Sequence, residues 1–361
     1  MVYAVVSQMR EPLNILVLGT GGNVSQGILK ALAIGRIPCR VVGACVHPRS
    51  FGLYTVDRAY LSPAAGAAHF VEWVVDTCRK ERIHAVMSGV EPVLAVLARE
   101  ALRIRAATGA IPVVSSPECL AIGDDKLETC RWLERHGLGF PRYADAADVE
   151  AVATLKQACG FPLFAKPRTG KGSAGLMLVR NAEDLAYAQG HGGYVIQEYL
   201  GSPAEEYTAG CFSDRDGTVR GALVLRRDLQ NGTTYRAEAG LYPEVRAEAL
   251  RIADLLRPMG PSNMQMRLHR GRPVCFEINV RFSGTTPIRA RLGFNDVEAT
   301  LRHFVLGEAA EDLPLVVRGI AFRYWNEAYP DEADVHLMER DHTLDGGAAK
   351  TVIESYGMPS A

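Results

Sequence analysis

No two of the eight cysteines stand in C-x-x-C spacing. Cys39, Cys45, Cys78, Cys119, Cys130, Cys159, Cys211 and Cys275 are scattered, most of them inside apolar segments such as 42–46 and 273–276. That distribution excludes a zinc cluster or a disulfide framework as the organising device and reads as reduced core residues. Neither sign of charge prevails, since 40 Lys and Arg face 41 Asp and Glu for a formal net charge of −1. With no net field to gather nucleic acid or an anionic membrane, a small-molecule substrate is the default expectation. Residues 1–13 lack the basic start and long apolar run of a signal peptide, and no stretch approaches membrane-spanning length. The expected location is the cytoplasm. Internal repeats and low-complexity segments are also missing.

What the chain does have is length and ordinary globular composition: 361 residues, 48% hydrophobic and 22% charged. Two or three domains are expected at that size. The apolar run 14–18 ends in Gly19-Thr20-Gly21-Gly22-Asn23 and is followed by a helical pattern at 26–33. Further strands are expected at 40–46, 84–88 and 111–114, with helices at 67–80 and 92–105. This alternation predicts a Rossmann-like α/β domain with a parallel sheet over residues 1–113. The glycines do not fit G-x-G-x-x-G, and the second strand leads into His47 without the acidic residue a dinucleotide ribose needs. A nicotinamide cofactor is therefore disfavoured.

A second region, 114–191, begins with a helix at 125–136 stopped by Gly137 and Gly139. The strand 161–166 and an antiparallel partner at 176–180 flank Thr169-Gly170-Lys171-Gly172-Ser173-Ala174-Gly175. Such a loop can close its backbone N–H groups on phosphates. An ordinary hairpin connection would use the same glycines, but Lys166 is hard to explain as filler at the end of an apolar strand. The third region, 192–361, reads as an α+β lobe on an antiparallel sheet, with strands at 194–199, 206–213, 218–225, 263–268 and 273–280 and helices at 243–259 and 296–305.

Its densest segment is Phe276-Glu277-Ile278-Asn279-Val280-Arg281. Strand side chains alternate, so Glu277, Asn279 and Arg281 would share one face while Phe276, Ile278 and Val280 turn to the core. That face offers oxygen ligands for a hard cation and one fixed positive fork; a merely solvated strand face fits the same pattern. Gln265 would lie opposite Glu277 if the hairpin loop is Arg270-Gly271-Arg272. A two-residue loop would slip it to the other face.

In order along the chain, Lys126, Lys166, the loop 170–175, Gln197-Glu198-Tyr199-Leu200, Glu206, Gln265, Glu277, Asn279 and Arg281 together resemble the ATP-grasp superfamily. More narrowly, the chain is similar to a single-unit half of the carbamoyl phosphate synthase large subunit, from about Asn14 to Glu308. The resemblance implies a pre-ATP-grasp domain followed by a two-lobed ATP-grasp fold. It implies that Lys126 and Lys166 contact ATP phosphates under Gly170, Gly172 and Ser173, that the hinge Gln197, Glu198 and Leu200 reads the adenine, and that Glu206 accepts ribose hydroxyls. Gln265, Glu277 and Asn279 would hold Mg²⁺, with Mn²⁺ as an alternative; Glu277 is then the only anionic protein ligand. Arg281 and Lys166 would be catalytic, with Ser283-Gly284-Thr285 adding backbone donors beside Arg281. Arg226 and Arg227 are lesser candidates for the γ-phosphate or the acceptor.

The reaction so implied is carboxylate–amine ligation through an acyl phosphate, releasing ADP and phosphate, with small-molecule carboxylate and amine partners and a homodimer as a possible assembly. Carbamoyl phosphate synthesis itself is not expected, because it uses two ATP-dependent units. Two other readings stand beside this one, a nucleotide-binding regulatory protein without turnover and a nicotinamide-dependent oxidoreductase. The acceptor is expected near Ser88-Gly89-Val90-Glu91, and the segment 322–327 is either an edge strand or a pocket lining.

Overall fold

Apolar runs too short for helices open the chain as β1 (Leu13–Leu18), β2 (Cys39–Cys45), β3 (Arg58–Leu61), β4 (Ala85–Ser88) and β5 (Ile111–Pro112). The computed structural model describes residues 11–170, 174–201 and 205–354. These strands pair in parallel in the order β3-β2-β1-β4-β5, as the alternation predicted. Helices α1 (Asn23–Ala33), α2 (Phe70–Lys80) and α3 (Glu91–Thr108) make the connections. Ile15, Leu16 and Val17 are fully buried, as a parallel strand covered on both faces requires. The glycine turn after β1 is packed from the inside. A Cβ on Gly19 would stand 2.3 Å from Val90 Cγ2, and one on Gly52 would stand 2.4 Å from the Thr20 carbonyl.

The chain divides into two compact units. One takes the residues through Val96, Glu100–Pro112 and those from Asn326 on, and the other takes Leu97–Arg99 and Val113–Trp325. The second unit begins with α4 (Pro117–Asp124) and α5 (Lys126–Arg135). Asp125 caps α5 through the N–H groups of Leu127 and Glu128, and it also pairs with Arg168. Then follow β6 (Tyr143–Asp145), α6 (Val149–Cys159), β7 (Leu163–Pro167), β8 (Met177–Val179), α7 (Ala182–Gly190) and β9 (Tyr194–Glu198). The four strands form one antiparallel sheet in the order β6-β9-β7-β8. The boundary expected at 191/192 is therefore displaced: β9 lies between β6 and β7 and belongs with them, and Ile196 packs into their core.

A second sheet uses β10 (Glu206–Ser213), β11 (Val219–Gln230), β12 (Thr233–Ala239), β13 (Gly260–His269), β14 (Arg272–Asn279) and β15 (Gly319–Phe322) in the order β14-β13-β10-β11-β12-β15. Helix α8 (Pro243–Leu256) packs on it, and α9 (Thr286–Arg291) and α10 (Asp296–Thr300) follow β14. The strand containing Phe322 is thus an edge strand of this sheet.

The rest of the tail departs from the expected C-terminal lobe ending at residue 361. It holds β16 (Ala328–Tyr329), α11 (Glu332–Asp341), β17 (Thr343–Asp345), α12 (Gly347–Lys350) and β18 (Val352–Ile353). β17 pairs antiparallel with β3 and so extends the first sheet. Burial decides this course, because Met338 and Leu344 join Leu53, Tyr54 and Val56 in one apolar cluster. Arg58 at the head of β3 pairs with Asp345. No helix among the described residues is long and apolar enough to cross a membrane.

The β13–β14 hairpin resolves the register in an unforeseen way. Its loop is the two residues Arg270 and Gly271, both at positive φ (51° and 77°), and His269 pairs with Arg272. That alone would put Gln265 opposite Phe276. A bulge between Gln265 and Met266 leaves Phe276 as the extra residue, and Gln265 pairs with Glu277 after all. The same bulge overturns the expected burial of Phe276, which is only half-buried and lines the cleft described next.

Candidate functional site

The second unit carries a cleft of about 840 Å³, open solvent at its mouth included. Lys126, Lys166, Gly170, Gln197, Glu198, Leu200, Glu206, Gln265 and Glu277 all line it, although they come from segments up to 151 residues apart in sequence (277 − 126). Gly172 and Ser173 lie outside the described residues. Asn279 reaches the group through Glu277, and Arg281 is not among the lining residues.

Each lining side chain is placed by local structure. Lys126 starts α5, and its ammonium donates to the carbonyl of Gly170 at 3.0 Å, tying the helix to the glycine loop. Lys166 sits near the end of β7 with its ammonium 4.7 Å from the Phe276 ring centroid. Burial pushes that ammonium down to about 8, with Glu277 pulling the other way. Gln197 is 1% exposed, and its amide meets the Cys130 sulfur at 3.1 Å. The Cys130 thiol is pushed up to about 12 by burial and is inert. Glu198 spends its N–H on the Arg142 carbonyl and its carboxylate on the Arg142 N–H.

Glu206 begins the central strand β10, with Arg267 opposite it on β13; Arg227 on β11 lies one step beyond the Tyr207–Arg226 pair. Arg227 donates Nε and Nη2 to Glu206 Oε1 at 3.2 and 2.8 Å, while Arg267 donates Nε and Nη2 to Oε2 at 3.1 and 2.7 Å. Each guanidinium thus converges two N–H groups on one carboxylate oxygen, and both oxygens are engaged. The arginine pair flagged in the sequence splits: Arg227 is buried in this network, and Arg226 points outward to Glu238.

Beyond Arg227, the Gln265 amide accepts from its Nη2 at 2.7 Å and donates to Glu277 Oε1 at 3.2 Å. Asn279 donates to the same Glu277 oxygen at 2.9 Å. The donor set is a carboxylate and two amides, hard oxygen chemistry that suits Mg²⁺ or Mn²⁺ and supplies one negative charge. Among the described residues no cluster of three or more His, Cys, Asp or Glu offers a more anionic metal site. Glu277 and Asn279 fit such a cation, whereas the Gln265 oxygen is engaged by Arg227.

The turn after Arg281 is held by three arginines. Arg281 donates to the Phe282 carbonyl, Arg323 to the Gly284 carbonyl, and Arg289 to the hydroxyls of Ser283, Thr285 and Thr286. Arg289 is fully buried against Asp296, and Gly210 makes room for it: a Cβ there would fall 2.3 Å from the guanidinium. Arg267, Arg289 and Arg323 were missed from sequence. Only Arg267 left a readable signal, an arginine directly across a strand pair from a glutamate.

With this geometry in view, the likeness to known proteins is specific. The model "ATP-grasp in the biosynthetic pathway with Ter operon" matches residues 193–328, and "PylC-like, N-terminal domain" matches residues 13–113. The chain has the ATP-grasp fold. The carbamoyl phosphate synthase large chain of Deinococcus deserti is 24% identical over 329 residues, covering 83% of this chain and 31% of that one. The Helicobacter pylori large chain is 22% identical over 338 residues, covering 85% and 30%. The chain thus spans about 30% of the length of these relatives. Among solved structures, N5-carboxyaminoimidazole ribonucleotide synthetase from Thermus thermophilus superposes with a TM-score of 0.66 at 17% identity, over 89% of this chain and 85% of that one. The biotin carboxylase domain of Hydrogenobacter thermophilus 2-oxoglutarate carboxylase, solved with MgADP, ADP and bicarbonate, gives 0.66 at 17% over 89% and 75%. At such identities the ATP-grasp likeness is one of fold, and it upholds the resemblance drawn from Lys126 through Arg281.

Proposed function

We propose that the protein is an ATP-dependent carboxylate–amine ligase working through an acyl phosphate. The observation that carries this reading is the convergence of Lys126, Lys166, the rim of the glycine loop and Glu277 on one cleft. Two point cations and a loop of backbone donors suit a triphosphate, and the half-buried position of Lys166 strengthens its field. Phe164, Leu176 and Leu200 supply apolar walls for a base, whose edge would meet the Glu198 carbonyl and the Leu200 backbone.

Glu277 and Asn279 would hold a divalent cation, which when bound neutralises charge on the transferring phosphoryl group. The substrate carboxylate oxygen bonds to the γ-phosphorus as the bond to the bridging oxygen breaks, and ADP leaves. The amine lone pair then attacks the acyl carbon, the amide forms, and phosphate departs while the amine proton passes to solvent. Arg281, which stands beside the cleft lining, would stabilise the acyl phosphate by charge, while the Ser283 and Thr285 N–H groups are spent on the Thr286 and Ser283 hydroxyls.

The test is an ADP-release screen over pairs of carboxylates and amines with Mg²⁺. The expected result is ADP formation that requires both partners. Tight ATP binding with no ADP release from any pair would favour a regulatory protein without turnover.

A further inference from the structure

We propose that Arg289, held by Asp296, is a positioning residue that sets the aim of Arg281 through the turn Ser283-Gly284-Thr285-Thr286. The inference rests on the ligase reading of the cleft, in which Arg281 meets the acyl phosphate. It starts from where the ion pair lies. Arg289 in α9 and Asp296 at the head of α10 are both 0% exposed. Desolvating two charges so completely offsets most of their attraction, and an apolar pair of similar size often serves stability as well or better. Stability is therefore a weak reason for this pair, and what the guanidinium touches supplies another. Nη1 donates to Ser283 Oγ at 2.9 Å and to Thr285 Oγ1 at 2.8 Å, and Nη2 donates to Thr286 Oγ1 at 3.2 Å and to Asp296. Three hydroxyls of one turn are gathered on one planar fork.

The turn does not need Arg289 to satisfy those hydroxyls. The Ser283 N–H already donates to Thr286 Oγ1 at 3.1 Å, the Thr285 N–H donates to Ser283 Oγ at 3.3 Å, and the Ser283 and Thr285 hydroxyls meet at 2.9 Å. What the guanidinium adds is a fixed place for the turn on the sheet. Gly210 provides that place, since a Cβ there would fall 2.3 Å from Arg289 Nε. Gly210 lies two residues from Thr208 on β10, so the two share a face, and Thr208 pairs with Gln265 at the cleft. The first peptide of the turn passes this placement on to Arg281. The Phe282 carbonyl, whose carbon is bonded to the Ser283 nitrogen, accepts from Arg281 Nη1 at 2.8 Å. Ser283 is thus tied to Arg289 through its hydroxyl and to the Arg281 guanidinium through one peptide plane. A turn that shifts tilts that plane and swings the guanidinium with it. Arg281 then keeps its charge and loses its aim, which harms the chemical steps and spares nucleotide binding.

The experiment pairs steady-state kinetics with thermal unfolding of Arg289→Met/Asp296→Leu in the full chain. Both charges are removed together because either single change would leave the other buried and uncompensated. The substrates are the carboxylate and amine that give ADP release with wild-type protein. The expected result is a thermal midpoint equal to or above that of wild type, kcat about 30- to 100-fold lower and KM for ATP within about twofold, the scale of a reacting group displaced by about 1 Å. A merely structural role gives the opposite pattern, and kcat per folded molecule within about twofold of wild type overturns the inference whatever the midpoint. If the double variant does not fold, the isosteric Thr285→Val, which leaves the ion pair in place, decides. A kcat about 5- to 10-fold lower at unchanged KM for ATP supports the inference, and wild-type kcat overturns it. Failure of wild-type protein to release ADP from any pair removes the ligase reading and the inference with it, whereas wild-type turnover in these variants removes the inference alone.

Discussion

Gly19 and Gly170 stand in two glycine-rich segments of similar composition and are glycine for different physical reasons. In Gly19-Thr20-Gly21-Gly22 the missing side chains are space already used: Cβ atoms on Gly19 and Gly21 would stand 2.3 Å from Val90 and 2.8 Å from the Ser50 hydroxyl. At Gly170, nothing lies within 4 Å of where a Cβ would be, its φ is +117°, and its carbonyl receives the Lys126 ammonium at the lip of the cleft. The first segment is glycine because neighbouring backbone and side chains crowd it. Gly170 is glycine because it exposes its backbone and takes a conformation other residues resist, whereas Gly175 further along is crowded by Pro167. Composition alone does not separate a packed turn from a ligand-facing loop, and the neighbours do.

That contrast can be broken in several ways, and the largest effect should come from the chemistry on the cleft side. Glu277→Gln is expected to lower ATP consumption by about 10³-fold or more while the thermal midpoint stays within about 3 °C; near-normal turnover would remove Glu277 from the site. Lys166→Ala should weaken ATP by about 10- to 100-fold in KM, the scale of a lost charge-assisted contact to phosphate. In the packed segment, Gly19→Ala should cost about 2–3 kcal/mol of stability through overpacking and positive φ, with activity per folded molecule unchanged. A Gly19→Ala protein of normal stability and impaired nucleotide binding would reverse the roles of the two segments.

A smaller effect follows from Lys166. Its ammonium is held at about 8, so the charge is present below that pH and lost as pH rises through it. From pH 7 to 9 the charged fraction falls about tenfold, and ATP affinity should fall in step in the wild type but not in Lys166→Arg. The mildest change is expected for Gly170→Ala. Open space lets the loop relax part of the strain, so the stability loss should stay near the low end, about 1 kcal/mol, while KM for ATP rises a few-fold. A stability loss as large as that of Gly19→Ala would erase the distinction.

Much of this was legible from residue order. The parallel first sheet and the strand-loop-strand at Lys166 follow from periodicity and turn residues, and the resemblance put Gln265 and Glu277 in one site. What stayed hidden depended on pairing between distant strands. The two-residue turn and the compensating bulge at Phe276 change a register twice, and hydrophobic alternation does not encode a double slip. Arg227 stood only as a lesser candidate for the γ-phosphate or the acceptor, yet β10 carries Glu206 to it from 21 residues away. The tail seemed a continuation of the last lobe, and only the shared cluster of Met338 and Leu344 with Leu53 and Tyr54 shows where it packs.

The central claim is that nucleotide binds at the Lys166 cleft and not at the first glycine turn. Calorimetric titration of MgADP into wild-type, Gly19→Ala and Lys166→Ala proteins, each verified as folded, tests it most directly. The account predicts one equivalent bound with equal affinity by wild type and Gly19→Ala, and affinity at least about tenfold weaker in Lys166→Ala. Unchanged binding by Lys166→Ala, with binding lost in Gly19→Ala, would contradict it.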